Sequence, residues 1–155
     1  MQELYYKLTL PISLDEAWAF FSNPTNLKEI TPAKMGFIVT SKHHGDKIYA
    51  GQIIRYIVTP VLGIPLKWCT EITHVVDKQY FVDEQRFGPY AFWHHQHRFR
   101  SVEGGVEMED ILNYKVPLGF IGDLVNALFV KNQVAQIFEY RTKVLTERFG
   151  IQKLY

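Results

Sequence analysis

Trp93, His95, His97 and Phe99 stand at every second position of one short run. In an extended strand alternate side chains share a face. Two imidazoles therefore sit together on a wall otherwise made of aromatic rings. A neutral imidazole both donates and accepts a hydrogen bond, and it titrates near neutrality, which suits it to proton transfer, ligand orientation or metal ligation. A carboxylate is within reach of the pair. Beyond Gly104-Gly105, a strong hairpin signal, residues 106–116 alternate again, and Asp110 shares the face of Val106, Met108, Leu112, Tyr114 and Val116. Counting back from the turn places Asp110 opposite His97 or Phe99, at cross-strand distance.

A carboxylate on an apolar face needs a partner, and an imidazole supplies one. Two readings are open: a His–Asp acid/base pair facing a substrate, or a polar group that satisfies itself or orients a ligand. His95, His97 and Asp110 are the candidates for the first, and no catalytic residue is assigned outright. His-x-His with Asp110 as a third donor would suffice for zinc. Any alternate pair on a strand shares a face, however, so the spacing assigns no metal, and no cofactor is expected. His94 belongs to the opposite face with Tyr90, Phe92 and Gln96, and His43-His44 beside Gly45-Asp46 are expected in solvent.

The run before Gly88-Pro89 offers further polar groups, since Asp83 and Gln85 share a face with Phe81 and Phe87. They either anchor a mainly apolar ligand or bond nearby backbone. Trp68, Trp93, Tyr56 and Tyr114 are expected as aromatics of a pocket or of the core.

These groups need a sheet to position them. Residues 4–10 alternate and form a first strand. Ser13 followed by Glu16 is a capping box, and Leu14, Ala17, Trp18 and Phe21 give the short helix behind it an apolar face. Asn23-Pro24 breaks that helix, and a second short helical segment is expected over residues 26–30. Strands follow over 36–41, 52–59 and 64–74, with a turn at Pro60–Gly63, and then the two runs around Gly88-Pro89 and the run after Gly105. Past Pro117 the period changes to 3.6. Ile121, Leu124, Val125, Leu128, Phe129, Val134, Ile137, Phe138, Val144, Leu145 and Phe149 trace one stripe, expected against the sheet in a helix from about 122 to 149. Such a helix is on the order of 40 Å long.

Composition bounds the rest. The chain has 155 residues, enough for one domain with a sizeable core. Its formal charge of +1 and lack of a basic run give no footprint for nucleic acid. The single Cys69 excludes an internal disulfide and a multi-cysteine zinc site. The first ten residues alternate and do not read as a signal peptide, and no apolar run reaches the roughly 20 residues that span a bilayer. A soluble, cytoplasmic protein is expected, as a monomer or homodimer, with Tyr5 or Phe92 as exposed aromatics of a dimer face.

The order of elements and several stretches resemble the START-like, or SRPBCC, superfamily and its helix-grip fold, in particular small bacterial single-domain ligand-binding or polyketide-cyclase-like members. The stretches are L-D-E-A-W-A-F-F-S-N-P-T-N-L at 14–27, T-P-A-K-M-G-F at 31–37, F-V-D-E-Q-R-F-G-P-Y-A-F-W-H-H-Q-H-R-F at 81–99, Y-K-V-P-L-G at 114–119 and I-F-E-Y-R at 137–141. The resemblance covers essentially the whole chain. It implies an α+β fold in which a curved antiparallel sheet of about seven strands wraps a long C-terminal helix, with two short helices between strands 1 and 2.

Such a fold leaves a gap between sheet and helix, and the resemblance implies a small hydrophobic or aromatic ligand there (lipid, quinone or polyketide-like). Trp93, His95, His97, Phe99, Asp83, Gln85, Asp110, Tyr114, Trp68 and Tyr56 would line it, in a cavity of about 300 Å³ or more. The alternatives are a cyclase- or dehydratase-type enzyme using a His–Asp pair, and a protein-interaction or regulatory module with a vestigial cavity.

Overall fold

A computed structural model describes residues 1–42, 47–59 and 64–151, with Asn126 described in its backbone alone. His43, His44 and the turn at 60–63 lie outside the described residues. The strands are β1 (Gln2–Leu10), β2 (Ile38–Val39), β3 (Gln52–Val58), β4 (Leu66–Val76), β5 (Tyr80–Phe87), β6 (Phe92–Val102) and β7 (Gly105–Lys115). The helices are α1 (Leu14–Phe21), α2 (Gly119–Val125) and α3 (Lys131–Phe149), with a π-helical turn, Asn126–Val130, joining the last two.

All seven strands form one antiparallel sheet in the order β1-β7-β6-β5-β4-β3-β2. From β2 to β7 the chain meanders, each strand beside the one before it. β1 closes the far edge by pairing with β7, from Gln2↔Tyr114 to Leu10↔Val106. This is the α+β helix-grip arrangement, with α1 over β6 and β7 and α3 against β1. Close approach explains Gly105 at the β6–β7 hairpin, because a Cβ there would sit 2.0 Å from the Leu10 carbonyl oxygen.

Sequence patterning sets most of these elements. Ser13 caps α1, its hydroxyl accepting from the Glu16 amide at 3.1 Å. Trp18 from α1 meets Phe81 and Phe99 edge-on, with centroids 6.1 and 5.6 Å away. On β7 the inward residues Val106, Met108, Asp110, Leu112 and Tyr114 are all buried. Outward Glu107 is held between Lys7 and Arg100.

Three expectations need correction. The strand expected over 36–41 reduces to Ile38–Val39, because Ala33–Met35 forms a 3₁₀ turn ended by left-handed Gly36. The second short helical segment is present but lies two residues earlier than 26–30, as the 3₁₀ turn Pro24–Lys28 with proline at its start. The largest difference is in the C-terminal stripe. Helix begins earlier, at Gly119, but Ile121, Leu124, Val125, Leu128 and Phe129 are exposed, and only Val134, Phe138, Arg141 and Leu145 of α3 are buried. Each residue turns a helix by about 100°, so the wider i→i+5 turn at 126–130 throws the two halves out of phase. The apolar side of α2 cannot face the sheet while that of α3 does. Among the described residues no helix is long and apolar enough to cross a membrane.

Candidate ligand cavity with a buried histidine–aspartate cluster

Three neighbouring strands and one helix bring the polar groups together. Register sets His95 of β6 opposite Asp83 of β5, and His97 of β6 opposite Asp110 of β7. Arg141 joins them from α3. All five face the interior; His95, His97, Asp110 and Arg141 are buried and Asp83 nearly so.

The two imidazoles lie 3.8 Å apart between centroids, sandwiched between the carboxylates. His95 Nε2 hydrogen-bonds Asp110 Oδ1 at 2.9 Å, and its Nδ1 is 3.5 Å from Asp83 Oδ2. His97 is oriented the other way round. Its Nε2 meets Asp83 Oδ2 at 2.8 Å, and its Nδ1 sits 2.8 Å from Asp110 Oδ1 at an angle too bent for a hydrogen bond. Arg141 Nη1 donates to Asp110 Oδ1 at 3.1 Å, and the Trp93 indole N–H donates to the other oxygen of Asp83 at 3.3 Å. Phe81 stacks on His97 at 4.2 Å, and Phe138 meets His95 edge-on at 5.7 Å.

Electrostatics follow from this packing. Burial works against ionising Asp110, but the Arg141 guanidinium and the two imidazoles outweigh it and hold the carboxyl well below its usual range. Asp83 is likewise lowered despite burial, mainly by its bond to His97. Burial, helped by its neighbour His97, lowers His95. Burial opposes charge on His97 too, yet its contacts with Asp110 and Asp83 win and raise it. Two carboxylates against one guanidinium leave one negative charge of fixed groups beside the two imidazoles.

A cavity of about 160 Å³ opens in front of this cluster. Asp83, His95, His97 and Arg141 form its polar end, and Tyr56, Trp68 and Trp93 its aromatic wall. The short helical segments and α3 close the other side with Leu27, Met35 and Ile137. The Tyr56 hydroxyl pairs with Thr70 Oγ1 at 2.5 Å, and burial pushes its pKa far up, so it stays protonated. The Trp68 indole N–H is buried without an acceptor among the described residues. It is a donor that an oxygen of a ligand would satisfy.

No family model matches the chain, and no curated protein matches its sequence. Solved structures do. A protein of Thermus thermophilus superposes with a TM-score of 0.69 over 96% of this chain and 97% of its own, at 16% identity. A protein of Chromobacterium violaceum gives 0.70 over 97% and 98%, at 12% identity. A nucleoside-diphosphate sugar epimerase from Corynebacterium glutamicum matches over 93% of this chain but only 28% of its own length, with a TM-score of 0.65 at 16% identity. The likeness is one of fold.

Of the ten residues expected around a ligand, Tyr56, Trp68, Asp83, Trp93, His95 and His97 line the cavity. The other four face inward without reaching it. Phe99 belongs to the aromatic core against Trp18, Phe21 and Phe81. Tyr114 is fully buried among Leu112, Val134 and Phe138. Gln85 is spent on the following turn, donating to the Tyr90 carbonyl and accepting from its amide. Asp110 stands behind the imidazoles and lines a smaller cleft against Tyr6 and Phe138.

Two orientations also change. Phe87 is exposed, because β4 and β5 shift register at Cys69/Thr70. Tyr90 precedes β6 and packs inward on Trp68, Trp93 and Tyr114 instead of pointing out. Arg141 is the functional residue that sequence reasoning missed. It sits at i+3 from Phe138 and i−4 from Leu145, so its place on the apolar stripe was the available signal.

Proposed function

We propose that this chain is a START-like, SRPBCC-type domain that binds one small, mainly apolar molecule in the cavity between sheet and α3. The polar end of that molecule would lie against Asp83 and the two histidines. The cavity supports this reading: aromatic walls with a few convergent polar groups at one end are the character of a ligand site. Its volume of about 160 Å³ narrows the occupant. That is below the roughly 300 Å³ of sites for drug-sized molecules, and close to the roughly 150 Å³ of an apolar cavity that takes up benzene. A single ring or a short branched chain fits.

Binding is favoured over acid/base catalysis by the histidine contacts. His97 Nε2 is engaged by Asp83 and His95 Nε2 by Asp110, so both rings are tied into hydrogen bonds of the protein itself.

Native mass spectrometry of the protein purified from its own cells tests the proposal. A bound species of single-ring size is expected, and Ile137→Trp, which fills the cavity from α3, should lose it while keeping the fold. A bare protein, or an adduct retained in full by Ile137→Trp, would refute the assignment to this cavity.

A further inference from the structure

We infer that Asp83, His95 and His97 form a binding site for one divalent transition-metal ion of the zinc class, with Asp110 and Arg141 as its outer support. One oxygen of Asp83 and one nitrogen from each histidine converge, all within 4.8 Å of one another. Tetrahedral ligands at about 2.0–2.1 Å from an ion are about 3.3 Å apart. The observed 2.8 Å from His97 Nε2 to Asp83 Oδ2, and 3.5 Å from His95 Nδ1 to the same oxygen, bracket that spacing.

The surroundings match what such a set requires. A metal-bound histidine usually directs its far ring nitrogen to a carboxylate, which fixes the tautomer and the ring. Here the far nitrogen of His95, Nε2, bonds Asp110 Oδ1 at 2.9 Å, and that of His97, Nδ1, lies 2.8 Å from the same oxygen without the alignment of a hydrogen bond. Arg141 holds that carboxylate from behind. Trp93 occupies the second oxygen of Asp83, leaving Oδ2 as a single donor. Two carboxylates and one guanidinium among neutral imidazoles leave one negative charge, which a cation balances. Two nitrogens and one oxygen suit zinc and its neighbours over calcium or magnesium. The donors come from the cavity-facing sides of β5 and β6, so the fourth coordination position is open to the cavity. Asp110, the third donor that the sequence spacing offers, stands one layer back.

The test uses full-length protein stripped with a chelator and titrated with Co²⁺ alone, then with Zn²⁺ as competitor. We expect one saturable equivalent, visible d–d absorption of a nitrogen/oxygen site without the intense thiolate band that Cys69 would give, and displacement by Zn²⁺. Asp83→Asn and His97→Gln should each weaken binding by about 100-fold or more, and Asp110→Asn by about 10–100-fold. His74→Ala, on an exposed position of β4, should change nothing. Should the cluster variants not fold, the wild-type Co²⁺ protein decides alone, because two histidine rings must show paramagnetically shifted resonances. Lack of a saturable equivalent, equal affinity in Asp83→Asn and the parent, or fewer than two shifted rings would overturn the site. The readout is independent of any organic ligand in the cavity.

Discussion

Replacing Arg141 with alanine is expected to destabilise the protein by about 3–5 kcal/mol. Asp110 is buried, and Arg141 is its only cationic partner of fixed charge among the described residues. Without the guanidinium, the carboxylate keeps only two imidazoles, both of which are shared with Asp83. The Arg141 guanidinium also lies over the Phe138 ring, 5.1 Å from its centroid, so the loss includes a cation–π contact. Asp110→Asn in the same background should restore part of the stability, because it removes the charge that Arg141→Ala leaves stranded. The two changes should depart from additivity by about 0.5–3 kcal/mol, as for residues in one network. Urea unfolding of the four proteins measures this, and the slope should stay constant so that midpoints can be compared. Additive losses would mean that the pair is not coupled.

Phe138→Ala should cost a similar amount, about 3–5 kcal/mol, as large-to-small changes in a packed core do. This ring docks α3. It stacks on Tyr6 of β1 at 4.2 Å with an interplanar angle of 8°, touches His95 edge-on and carries Arg141 on its face. Its loss opens a void where helix, edge strand and polar cluster meet. Thermal unfolding read by circular dichroism should show the drop as a lower midpoint with the far-ultraviolet spectrum preserved. A loss under about 1 kcal/mol would show that the site collapses to fill the space.

How much of this could be read in the residues depended on the range of the interaction. Period-two alternation placed His95, His97 and Asp110 on one inward face, and the Gly104-Gly105 turn fixed their register because a hairpin is local. Asp83 was legible as inward, but its role was not. Its pairing across β5 and β6 depends on the turn at 88–91, where Gln85 folds back on Tyr90 and sets the register. Phase was the harder matter. The stripe from Ile121 to Phe149 is continuous in sequence, yet a π turn at 126–130 rotates its first half into solvent. Composition carries no sign of a one-residue shift in hydrogen bonding. Volume was equally out of reach: aromatic residues predict a wall, but whether they meet across the gap depends on rotamers. Here Trp68, Tyr90 and Trp93 close on one another with centroids 4.8–5.4 Å apart, and two of them, Trp68 and Trp93, line a cavity of about 160 Å³.

The most direct test of the central claim is a methyl NMR titration with single-ring probes such as phenol, using labelled isoleucines. Ile54, Ile72 and Ile137 line the cavity, whereas Ile38, Ile53 and Ile111 lie on other surfaces of the sheet. Binding in the cavity predicts saturable shifts at the first three, none at the others, and loss of the shifts in Ile137→Trp. Shifts spread evenly over all six methyls, or none at probe saturation, would contradict it.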